Sequence, residues 1–131
     1  EADTQKKYLA DKKQSIIVVR AIQYMEEAVN TNLKIKALAE KLNVSLEYFI
    51  RLFRREVHTT PHRYFNHLKI SAATGYLTAT DKSIKEIADI LGFDNQFSFS
   101  AVFKKYVGIP PSAYRNIYFQ KKDLVVFDDP I

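Results

Sequence analysis

The chain of 131 residues contains no cysteine. That absence removes disulfides, thiolate zinc sites and cysteine nucleophiles together, and it is compatible with a reducing cytosol. Long apolar runs are missing too. None is longer than the run at residues 16–19, far too short to span a membrane, and no signal peptide opens the chain. A soluble, cytoplasmic protein is expected. There is no Gly-rich phosphate loop, no G-x-S-x-G elbow and no pair of catalytic carboxylates, so neither catalysis nor a cofactor has support. His58, His62 and His67 raise the question of a metal, His58 and His62 being four apart. His58 precedes the helix predicted there, however, and no carboxylate or cysteine completes a closed ligand set. Phosphate contact or plain exposure suits these histidines better.

What is present is a core's worth of apolar residues and a localised charge. At 47% hydrophobic, the chain can fill one or two small cores. The net charge of +5 sits in residues 33–80, and the remaining segments cancel one another. A basic patch confined to one segment suits a polyanion, because Lys and Arg displace condensed counterions from a phosphate backbone. An ordinary solvated surface is the simpler alternative, to be weighed against where the charges fall.

Residues 83–115, SIKEIADILGFDNQFSFSAVFKKYVGIPPSAYR, organise the rest. Ser83 and Glu86 have the spacing of a capping box, each side chain reaching the other's backbone N–H. Ile84, Ile87, Ala88 and Leu91 then form one apolar stripe, and Gly92 supplies the left-handed residue on which a helix stops. Asp94 or Asn95 caps a second helix whose inner face is Phe99, Val102, Phe103 and Tyr106. Gln96, Phe97, Ser100, Ala101 and Lys104 fall outside. Helix, tight turn and helix make either a plain hairpin in a bundle or a helix-turn-helix, whose second helix enters the DNA major groove.

A second copy decides between them. Ile35, Leu38, Ala39 and Leu42 match Ile84, Ile87, Ala88 and Leu91 at an offset of 49, with Asn43 in the place of Gly92. Asn is the next best residue for a left-handed cap. Phe49, Leu52, Phe53, Arg54 and Arg55 match Phe99, Val102, Phe103, Lys104 and Lys105 at an offset of 50, and Pro61 and Tyr64 match Pro111 and Tyr114. A repeat of this period marks a duplicated unit.

Taken in order, residues 1–14 read as a linker or helical extension from a preceding domain, the chain beginning without Met. A helix is predicted over residues 15–29, with Ser15 as its cap, and residues 15–60 form the first helix-turn-helix subdomain. Its support helix covers residues 35–42, with Lys34 as a weak cap. Its recognition helix covers residues 45–57, capped by Ser45. The outer face of that helix carries Glu47, Ile50, Arg51 and Arg54 at i, i+3, i+4 and i+7. Arg pairs bidentately with guanine, and Ile50 suits a thymine methyl. Glu47 either accepts from cytosine or is a solvated acid. Residues 61–80 form a connecting helix opened by Pro61, about 25 Å long at 1.5 Å per residue. That length would set two recognition helices about one DNA turn, ~34 Å, apart. Residues 81–117 form the second subdomain, and residues 118–131 a tail in which residues 124–127 are strand-like. About seven helices are expected. In the second recognition helix, Gln96, Phe97 and Ser100 are assigned to bases, although Phe97 would otherwise be a core aromatic. Ser45, Arg55, Asn95, Lys104 and Lys105 are assigned to phosphates.

These residues carry a family resemblance. The run I-A-D-I-L-G-F, then F-S-A-V-F-K-K, then G-I-P-P-S-A-Y-R resembles the signature of the AraC/XylS family of bacterial transcription regulators. The resemblance covers roughly residues 16–115. It implies an all-α fold of two helix-turn-helix subdomains joined by a long helix, sequence-specific binding to double-stranded DNA, and recruitment of RNA polymerase, often as an activator. It also implies a separate sensing and dimerisation domain in the full-length protein. Lacking cysteine, the chain is unlike the DNA-repair relatives that carry such modules. The first copy departs from the pattern at His58, where a glycine is usual, and at Lys69, where an Arg is usual. The competing reading is a protein-interaction module whose Arg-rich helix binds an acidic partner.

Overall fold

Apolar residues recurring at helical spacing, with few β-branched runs, produce helices throughout. The computed structural model describes residues 2–127, and among these there are seven helices and no strands. They are α1 (Ala2–Glu27), α2 (Ile35–Lys41), α3 (Leu46–Val57), α4 (Pro61–Ala79), α5 (Ile84–Ile90), α6 (Gln96–Val107) and α7 (Pro111–Phe127). Two compact units divide the chain at Leu68 and Lys69, within the continuous helix α4.

Two readings of the sequence need correction. Ser15 does not cap a helix; it lies inside α1, which is helical from Ala2. The stretch before Ser15 is rich in charge and weakly periodic, which hides it from a search for apolar stripes. Residues 124–127 are the last turn of α7, so local β-propensity gives way there to continuation of an existing helix, which adds a hydrogen bond per residue without a new nucleus. Residues 128–131 of the expected tail lie outside the described residues.

In the first unit α1, α2, α3 and the start of α4 enclose Val18, Ala21, Met25, Leu38, Ala39, Phe49, Leu52, Phe53 and Phe65. In the second, Ile70, Ala73 and Leu77 of α4 share the interior with Ile87, Ala88, Leu91, Phe99 and Phe103. The aromatic stacks correspond pair by pair. Phe49 and Phe53 pack edge to face with centroids 5.8 Å apart, and Phe53 meets Tyr64 at 5.5 Å. Phe99 and Phe103 pack at 5.9 Å, and Phe103 meets Tyr114 at 5.6 Å. Pro61 and Pro111, each the first residue of its helix, are fully buried beside these stacks in sequence.

The turns also repeat. Asn43 (φ 58°) and Gly92 (φ 76°) are left-handed. Val44 donates to the Ala39 carbonyl at 3.1 Å and Phe93 to that of Ala88 at 3.0 Å, the long bond of a Schellman motif in both units. Beyond α3 and α6, His58 (φ 66°) and Gly108 (φ 96°) occupy the same left-handed position. The departure from glycine at His58 therefore leaves the turn geometry unchanged. Lys34, in contrast, makes no side-chain cap bond to α2.

Candidate nucleic-acid interface

The two helices that follow the turns, α3 and α6, are fixed at both ends before any ligand arrives. At α3 the Ser45 hydroxyl oxygen accepts the Tyr48 N–H at 3.1 Å, and at α6 the Asn95 side-chain oxygen accepts the Ser98 N–H at 2.8 Å. Asn95, and not Asp94, is thus the cap. These bonds occupy one acceptor on each side chain. The Ser45 hydroxyl proton and the Asn95 amide group keep their capacity to donate to a phosphate. The support helix α5 opens with the expected capping box, Ser83 and Glu86 exchanging bonds of 3.1 Å in each direction. Hydrogen bonds to the Glu86 carboxyl from the backbone N–H and the side chain of Ser83 hold it below its ordinary pKa.

On α3, burial of Phe49, Leu52 and Phe53 turns the opposite face to solvent. Glu47, Ile50, Arg51, Arg54 and Arg55 are all exposed. Arg55 pairs with the adjacent Glu56 at 3.2 Å, an exposed ion pair of small energetic weight. The Arg51 guanidinium lies over the Tyr48 ring, 5.6 Å from its centroid. Tyr48 packs against the core of the first unit. It therefore gives Arg51 a platform anchored to the core, since a guanidinium is attracted to an aromatic face within about 6 Å. Sequence reasoning did not single out Tyr48, although an aromatic three residues before an Arg on one helix was the available signal.

On α6, burial of Phe99 and Phe103 leaves Phe97, Ser98, Ala101, Lys104 and Lys105 exposed, with Gln96 and Ser100 half-buried. Phe97 is 75% exposed, which rejects the alternative of a core aromatic. The residues expected to read bases and hold phosphates thus fall on the outer faces or caps of two equivalent helices, separated only by degree of exposure. His58, His62 and His67 are exposed as well, with His62 and Asn66 side chains 3.3 Å apart. Among the described residues no three His, Cys, Asp or Glu side chains converge as metal ligands. Nor is any described helix long and apolar enough to cross a membrane.

A family model for a helix-turn-helix domain matches residues 38–117, both turns and helices α3 and α6 included. The chain belongs to the AraC-type helix-turn-helix family. Within it, the raffinose operon transcriptional regulatory protein RafR of Pediococcus pentosaceus is 34% identical over 95 residues, covering 72% of this chain and 34% of RafR. The melibiose operon regulatory protein of Escherichia coli is 30% identical over 105 residues, covering 80% of this chain and 35% of that protein. This AraC-type chain thus spans about a third of the length of these relatives. Among solved structures, the C-terminal domain of AraT, a response regulator from Geobacillus stearothermophilus, superposes with a TM-score of 0.75 at 34% identity, over 77% of this chain and 84% of that one. The DNA-binding domain of AdpA, solved with a target DNA, gives 0.76 at 23% identity over 81% and 96%, a likeness of fold.

Proposed function

We propose that this chain is the sequence-specific, double-stranded-DNA-binding part of a bacterial transcription regulator, with α3 and α6 entering successive major grooves. The observation that carries the reading is the pairing of one fixed scaffold with two different polar faces. Two helices held by matching caps, turns and aromatic stacks present Glu47, Ile50, Arg51 and Arg54 in one case, and Gln96, Phe97 and Ser100 in the other. An interior kept constant around outer faces that vary is what readout of two unlike half-sites requires. Arg51 and Arg54 suit guanine edges, Gln96 an adenine, and Ile50 and Phe97 thymine methyls. Glu47 suits a cytosine amino group and Ser100 accepts or donates to several bases. Ser45, Arg55, Asn95, Lys104 and Lys105 hold phosphates and set the register.

In the longer protein, a sensing and dimerisation domain preceding this one would govern when DNA is bound, and contact with RNA polymerase would make the regulator an activator. No step requires a metal, a cofactor or catalysis.

The test is selection of bound duplexes from a random pool, followed by salt titration on the selected duplex and a scrambled one. Specific binding predicts a selected consensus and an affinity gap of about a thousandfold or more at physiological salt. If selected and scrambled duplexes bind equally weakly, the proposal fails and an acidic protein partner for the α3 face becomes the better reading.

A further inference from the structure

Lys69 is the single buried charged or polar residue among the described ones, 4% exposed on α4. Its ammonium donates to the carbonyl oxygen of Leu91 and lies over the Phe93 ring, 5.6 Å from the centroid. Both partners flank Gly92, in the turn between α5 and α6. Leu91 is the C-cap of α5, where the carbonyls at a helix end gather partial negative charge. Four residues beyond it, Asn95 caps α6, and Gln96 and Phe97 follow.

The first unit shows that this fold does not require a cation at such a place. Ile70, Ala73 and Leu77 of α4 are buried in the second unit as Val18, Ala21 and Met25 of α1 are in the first, at a constant offset of 52. By that offset Lys69 corresponds to Ile17, a half-buried apolar residue packed against the first core. Val44 stands where Phe93 does, and the turn beside it has the same Schellman bond. Desolvating an ammonium is unfavourable, and burial pushes Lys69 down from 10.5 to about 8. The second unit accepts that cost at the turn that sets the start of its reading helix.

We propose that Lys69 is a positioning residue for DNA recognition: by tying the Leu91–Phe93 turn to α4, it fixes where Gln96 and Phe97 meet their bases. The proposal rests on the reading of α6 as a base-reading helix. Holding a turn through one carbonyl and one ring restrains it against sliding along α4, which an isoleucine, lacking a directed bond, does not do. The asymmetry also fits the chemistry of the two faces. A long Arg adapts its reach to an imperfectly placed helix, whereas the rigid ring of Phe97 has two torsions and depends on helix placement for fit.

Duplex selection on the whole chain tests this. Positions whose preference changes in Arg51→Ala define the α3 half-site, and those that change in Phe97→Ala define the α6 half-site. Should Phe97→Ala change no position, the α6 reading itself fails, a result separate from any concerning Lys69. Given the two sets, Lys69→Met is expected to lower preference at α6 positions about fivefold or more while leaving α3 positions within about twofold, and Lys69→Arg to restore the α6 preference. Unchanged α6 preference in folded Lys69→Met, or equal loss in both half-sites, overturns the proposal. So does a folded Lys69→Arg chain that restores nothing. If Lys69→Met does not fold, Phe93→Leu decides by removing the ring beneath the ammonium. Loss confined to α6 positions supports the positioning role, and unchanged preference overturns it.

Discussion

The two units differ most where they face solvent and least where they face themselves. Phe49, Phe53 and Tyr64 reappear as Phe99, Phe103 and Tyr114 with centroid distances that agree to 0.1 Å, yet Ile50, Arg51 and Arg54 reappear as Ser100, Ala101 and Lys104. Interior packing constrains shape, because a close-packed core feels each added or lost methylene. An outer face answers only to what it binds. The comparison also divides labour. Residues 33–80 carry the whole net charge of +5, so on the proposed reading the first unit and the α4 residues that follow would dominate affinity. The second unit, whose signature is the more legible, would on the same reading adjust specificity through the uncharged Gln96, Phe97 and Ser100. Tyr48 beneath Arg51 and Lys69 beside the α5–α6 turn contact the two units differently, one at a side chain and the other at the backbone.

The equivalence of the interiors is broken most forcefully by truncating the shared stacks. Phe53→Ala and Phe103→Ala are each expected to destabilise their unit by about 3 to 5 kcal/mol, measured by denaturant unfolding. If one cost much less than the other, the two cores would not be energetic equivalents. The inequivalence of the faces is sharpened by Arg51→Ala, expected to cost about 1 to 3 kcal/mol of discrimination at one base position while leaving thermal stability unchanged. Lys105→Ala is expected to weaken binding to all duplexes alike and to lower the slope of log affinity against log salt by about 1, which duplex titrations at several salt concentrations would read.

Protonation of Lys69 separates the units by pH. Its folded pKa, about 8, lies below the 10.5 of the unfolded chain, so between these values the unfolded state binds more protons and stability rises with pH. Measured against Lys69→Met, the chain is expected to gain stability from about pH 8 to pH 10.5 and to show no such gain below it. The smallest effect concerns the left-handed residue after each reading helix. His58→Gly removes a Cβ from a position at φ 66° and is expected to stabilise by up to about 1 kcal/mol. Gly108→Ala should destabilise by a similar amount through backbone strain alone, since a Cβ there meets nothing within 4 Å. Melting curves of the two variants should move in opposite directions.

Much of this molecule was legible in its sequence, for a physical reason. Period, caps and turn residues are local. Ser45, Ser83, Asn43 and Gly92 need only their neighbours along the chain to do what they do, and the apolar stripes of α2, α3, α5 and α6 name their own buried faces. The duplication supplied the rest of the fold, and the exposure of Phe97 followed from its phase relative to Phe99. Helix extents were less legible where they depend on continuation and not on caps, as at both ends of the chain, in α1 and α7. What only the tertiary structure decided were interactions between residues distant in sequence. That Lys69 is buried against Leu91 and Phe93, and that the Arg115 guanidinium donates to the carbonyls of Leu77 at 3.0 Å and Thr80 at 3.3 Å, depends on how α4, α5 and α7 pack around one core. No periodicity encodes such contacts, because they arise where separate stripes meet.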